Sequence, residues 1–77
     1  MKTLEEFTAL FAEQLEETNP STINAQTVFH GIDEWSSLTA LAITTMIGEE
    51  FGVNLKVTDL KSAVTVEDLY TIIRKRV

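Results

Sequence analysis

The chain has 77 residues, 44% of them hydrophobic, and no cysteine. It is expected to fold as one small domain over residues 1–77, with no disulfide, thiolate nucleophile or thiolate zinc site. Twelve acids against six lysines and arginines leave a net charge of −6, which opposes nucleic-acid phosphates and anionic lipid. A core of this size supplies only about 3–5 kcal/mol of net stability and leaves little room for a water-excluding active site, so a binding or carrier role is expected in preference to catalysis.

The opening Met1-Lys2-Thr3-Leu4-Glu5-Glu6 is interrupted by acids almost at once and does not read as a signal peptide. No apolar run approaches the ~20 residues of a membrane span, so a cytoplasmic chain with no membrane partner is expected. An amphipathic helix follows, predicted over Thr3–Glu17. Leu4, Phe7, Phe11 and Leu15 form one stripe at helical spacing, while Glu5, Glu6, Glu13, Glu16 and Glu17 fall on the far side. Thr3 and Glu6 fit a capping box, and Pro20 in Thr18-Asn19-Pro20-Ser21 forbids continuation.

A long connection, about Asn19 to Trp35, is predicted without regular structure. Val28, Phe29 and Ile32 are spaced to tuck beneath it, with a turn at Gly31. Connections this long in compact domains are often functional. His30 is the sole histidine and reads as a loop residue, with no second ligand for a metal.

The second helix is predicted from Ser36 or Ser37 to Phe51, stopped by Gly52 as a C-terminal cap. Ala40, Ile43, Met46, Ile47 and Phe51 share one face, whereas Leu38, Leu41 and Thr45 project roughly opposite it. One hydroxyl suffices to cap a helix start. With Ser36 as the cap and Trp35 folded back towards Ala40 as a hydrophobic staple, Ser37 is left outward at the positive end of the helix dipole, a favourable place for a phosphate. Two exposed leucines beside it suggest a surface for a partner or an acyl group.

Val53-Asn54-Leu55-Lys56-Val57 alternates like a strand, but no second strand pattern exists to pair with it. A short helical turn is predicted near Thr58–Ser62, with Val57, Leu60 and Val64 inward. The last helix starts at Thr65, with Asp68 completing a second capping box and Val66, Leu69, Tyr70, Ile73 and Val77 as its core stripe. Arg74, Lys75 and Arg76 read as a solvated helix end matched to the dipole. The economical fold is all-α, a small four-helix bundle of three main helices and one short one.

Intrinsic catalysis is not expected. Ser37 would need a base and an oriented third group, His30 is the only histidine, and the three glycines make no phosphate-cradling loop. A serine that is itself modified needs only to be exposed on a rigid element.

Here the sequence resembles the acyl carrier protein family over nearly its whole length. The resemblance rests on Ser37-Leu38 at the start of the second helix, the Glu49-Glu50-Phe51-Gly52 ending, and Phe51 standing fourteen positions beyond Ser37. Val53-Asn54-Leu55, Asp59-Leu60 and Thr65-Val66-Glu67-Asp68-Leu69 follow the rest of the family pattern. The resemblance implies that Ser37 carries 4'-phosphopantetheine, attached covalently from coenzyme A by a phosphopantetheinyl transferase (holo-synthase). The arm's thiol would hold acyl thioesters for synthases and transferases of fatty-acid, polyketide or related biosynthesis. Expected partner contacts are Asp33, Glu34, Trp35, Ser36, Leu38, Leu41 and Thr45, on a freestanding monomer that is not itself an enzyme. A peptidyl or aminoacyl carrier and an unmodified helical adaptor are the alternatives. Two departures stand out: Ser36 occupies the place of the usual Asp, and the second helix carries no acid from Ser37 to Gly48.

Overall fold

The computed structural model describes residues Met1–Val77. It contains four α-helices, α1 (Leu4–Glu13), α2 (Ser37–Phe51), α3 (Val57–Ser62) and α4 (Val66–Arg74), and no named strand. Helix α1 packs against α2 and α4, and α3 packs against α4.

Local chemistry sets most of the boundaries. Thr3 and Glu6 exchange side-chain and backbone hydrogen bonds at the start of α1, and Thr65 and Asp68 do the same for α4. Helix α2 stops at Gly52, whose φ of 68° lies in the left-handed region where a side chain is strained. Helix α1 ends earlier than its hydrophobic pattern suggests, at Glu13 instead of Glu17. Leu15 is nonetheless buried. The chain turns out of the helix there because the next amides, of Glu16, Glu17 and Thr18, bond to the Glu34 carboxylate instead of to helical carbonyls.

The core is built from Phe7, Phe11, Phe29, Ile43, Ile47, Val66, Leu69 and Ile73, all fully buried. Phe7 meets Phe11 and Phe51 edge-on at centroid distances of 6.2 and 5.6 Å, and Phe11 meets Phe29 at 5.8 Å. These edge-to-face arrangements are the ones aromatic quadrupoles favour. No polar or charged residue is buried.

The long connection is more ordered than its sequence suggests. It contains two 3-10 turns, Pro20–Thr22 and Phe29–Gly31. Two backbone bonds, Val66 N–H to the Thr27 carbonyl and Glu67 N–H to the Ala25 carbonyl, fasten it to the start of α4. Ile23 and Phe29 anchor it to the core, with Ile32 packed against it.

Four valines placed inward by the sequence pattern are exposed: Val28, Val57, Val64 and Val77. Val28 makes an isolated antiparallel bridge with Thr65. In such extended backbone neighbouring side chains alternate, so Phe29 takes the inward place. The same alternation turns Ala63 in and Val64 out. Helix α3 is too short to bury more than one strong anchor, Leu60, and leaves Val57 at its open end. Val77 lies beyond the end of α4. Val53 and Leu55 are buried while Asn54 and Lys56 are exposed, so the strand-like pattern there reports alternating burial without a sheet.

The basic C-terminus is not simply solvated. Arg76 forks onto Asp59 with N–O distances of 2.8 and 2.6 Å, tying the end of α4 to α3. The guanidinium, and then the Lys56 amide, hold the Asp59 carboxyl below its ordinary value.

Candidate functional site

The start of α2 separates the two serines by role. Ser36 has extended backbone (φ −154°, ψ 177°) and is the N-cap: its Oγ accepts the Thr39 amide at 3.3 Å. Thr39 in turn donates its hydroxyl to the Glu34 carbonyl at 2.9 Å. Ser37 is the first helical residue, exposed, and its hydroxyl takes part in none of these bonds. Its Oγ is therefore free at the end of the helix where the backbone amides point outward.

Two hollows flank it. One is a groove of about 500 Å³ between the start of α2 and α3, with Trp35, Ser36, Ser37, Ala40 and Leu41 on one side and Val57, Leu60 and Lys61 on the other. Its walls are predominantly apolar. The second, about 570 Å³, lies between α2 and α1 and brings Leu38, Leu41 and Thr45 together with Glu13, Glu49 and Glu50. Leu41 borders both, so the leucines beside Ser37 form one continuous apolar edge. Leu38 is 79% and Leu41 62% exposed.

Trp35 lines the groove. It is half-buried, stacked parallel to Phe11 at 6.3 Å and tilted against Phe29 at 5.0 Å. Trp35 and Ala40 line the same groove, as a staple across the helix start requires. His30 stacks on the indole at 5.7 Å, and its Nε2 lies 3.1 Å from the Leu60 carbonyl oxygen. A carbonyl only accepts, so Nε2 carries the proton. His30 thus fastens the long connection to α3 and helps set the groove wall.

Of the two acids upstream of Ser37, Asp33 is exposed and Glu34 is turned inward. The Glu34 carboxylate accepts the amides of Glu16, Glu17 and Thr18 at 3.0, 3.0 and 2.6 Å and also bonds the Thr18 hydroxyl. The Thr18 hydroxyl first, then these amides, hold its carboxyl below the ordinary glutamate value of 4.5. Because the folded form is the more acidic, the stability Glu34 contributes is complete above about pH 4.5 and is lost as pH falls below that value. Glu34→Gln is expected to lower Tm by several degrees at pH 7. The variant and parent Tm curves should then converge as pH drops towards 3. Parallel curves in thermal melts across that range would show that the carboxylate charge does not hold the connection.

The sequence singles out the α2 side of this site. It gives no sign of His30, Val57, Leu60 or Lys61, which reach the groove from two other segments through contacts no local pattern encodes. No cluster of His, Asp or Glu suited to holding a metal ion is present, and no helix is long and apolar enough to cross a membrane.

No curated protein and no solved structure matches the chain. The family model described as a phosphopantetheine attachment site matches residues 5–73, which takes in α2 and α3 whole and nearly all of α1 and α4. A match of that extent, on a helical fold whose exposed helix start stands beside an open groove, places the chain in the phosphopantetheine attachment-site family, proteins to which 4'-phosphopantetheine is covalently attached.

Proposed function

We propose that Ser37 is the attachment residue and that the chain carries acyl groups as thioesters for enzymes of fatty-acid, polyketide or related biosynthesis. One observation carries this reading: the Ser37 hydroxyl is exposed and uncommitted at the mouth of an apolar groove, because Ser36 performs the capping. The fit to the cofactor is good. An attached arm needs a free hydroxyl on a rigid element, room for the transferase, and a neighbouring surface to rest on.

In the transfer, the Ser37 Oγ gives up its proton and forms an ester bond to the phosphorus of coenzyme A that bears the pantetheine. The bond from that phosphorus to the nucleotide bisphosphate breaks. The bound arm supplies a terminal thiol for thioester chemistry, which the protein, lacking cysteine, does not have. The chain's own part is to hold and present, so it is not itself an enzyme on this reading.

The groove favours acyl over aminoacyl cargo. Trp35, Ala40, Leu41, Val57 and Leu60 offer apolar surface, which an alkyl chain gains by covering and an ammonium group does not. Trp35 is the only tryptophan, so its emission reports occupancy. Loading the arm with octanoyl should shift Trp35 emission and raise Tm relative to acetyl. Identical spectra and melts for the two cargoes would direct attention to the aminoacyl alternative.

A further inference from the structure

The surface around Ser37 has an unusual charge for so acidic a chain. Helix α2 carries no acid from Ser37 to Gly48. Glu34, the acid three residues upstream, already accepts the Glu16, Glu17 and Thr18 amides. No carboxylate lines the groove at Ser37, whose one charged wall residue is Lys61; the outward acids nearest to it are Asp33, four residues upstream, and Glu13, which lines the second hollow with Leu38. The acids Glu49 and Glu50 begin twelve residues along the helix, about 18 Å from Ser37, and Glu50 is paired with Lys2 at 3.5 Å. The large apolar side chains exposed around Ser37 are Leu38, Leu41 and Val57, 79%, 62% and 66% exposed.

We infer that the transferase that modifies this chain docks by uncharged, apolar contact with Leu38, Leu41 and Val57, and that its own docking surface is apolar where it meets them, not basic. The inference rests on Ser37 being the modified residue, because an enzyme acting there must cover its neighbours. A basic surface would find no carboxylate in the groove beside Ser37 and would have to reach Asp33 or the second hollow for one. Ion pairs at an exposed rim contribute little and are screened by salt. Apolar side chains at the centre, fully covered on binding, supply the affinity. Val57 belongs to this surface although it comes from α3, since it lines the groove with Leu41.

The test is the KM of a phosphopantetheinyl transferase for the unmodified chain, measured from low to high salt and with three variants. Raising the salt from 50 to 500 mM should change KM less than about 3-fold. Leu38→Ala and Val57→Ala, both at exposed positions, should each raise KM roughly 10-fold or more with Tm near the parent value. Glu13→Gln/Glu49→Gln should leave KM within about 3-fold of the parent. A KM that rises steeply with salt or on removing Glu13 and Glu49, yet is indifferent to Leu38 and Val57, would overturn the inference and point to a basic partner surface. A parent chain that no transferase modifies is a distinct outcome, which would overturn the Ser37 reading and this inference with it.

Discussion

Ser37→Ala is expected to fold as the parent does and to take up no phosphopantetheine. Alanine has the higher intrinsic helix propensity in a helix interior, and the difference at an exposed site is small. The Ser37 side chain is exposed and makes none of the bonds that cap α2, so Tm should be unchanged or slightly higher. Only the nucleophilic oxygen is removed, and the loss of modification should therefore be complete. A variant that loses its helical circular dichroism would mean that Ser37 and not Ser36 holds the helix start. Full modification of a folded variant would move the attachment elsewhere.

Phe29→Ala should have the largest effect on stability. Phe29 is fully buried and is the chief anchor of the long connection, touching Phe11 at 5.8 Å, Trp35 at 5.0 Å and His30 at 4.3 Å. Truncating a buried phenylalanine costs about 3–5 kcal/mol. That is comparable to the whole net stability of about 3–5 kcal/mol expected for a domain of this size. The variant should be largely unfolded at 25 °C by far-ultraviolet circular dichroism and a poor transferase substrate even though Ser37 is intact. A cooperative melt within a few degrees of the parent would show that the connection is held without its aromatic anchor. Together the two substitutions separate chemistry from scaffold: one abolishes attachment in a folded chain, the other removes the fold that presents an intact serine.

What the sequence made legible was local. The capping boxes at Thr3–Glu6 and Thr65–Asp68, the Ser36 cap and the Gly52 stop each depend on residues within four positions of one another, where spacing and side-chain chemistry determine geometry. The inward stripes of α1, α2 and α4 followed from helical period, and the outward placement of Leu38 and Leu41 came with them. The rest depends on distance in sequence. Glu34 was expected among the partner contacts, but its reach to amides sixteen to eighteen residues earlier, which also shortens α1, has no local signature. Nor does the His30 bond to Leu60, thirty residues on. Val57 and Val64 looked like core by composition, yet two short segments with little helical surface left them outside. Half of the groove was therefore unreadable. Its α2 side is written in one contiguous run, while its other wall arrives from residues 57–61 and from a histidine whose spacing carried no pattern.

The central claim is that the cofactor is attached to Ser37, and locating the modification tests it most directly. The unmodified chain would be incubated with coenzyme A, magnesium and a broad-specificity phosphopantetheinyl transferase, digested, and the peptide spanning residues 33–41 fragmented in a mass spectrometer. The account predicts a single phosphopantetheinyl addition on Ser37, with Ser36 unmodified. Addition on Ser36, or a chain left unmodified by several transferases, would contradict it.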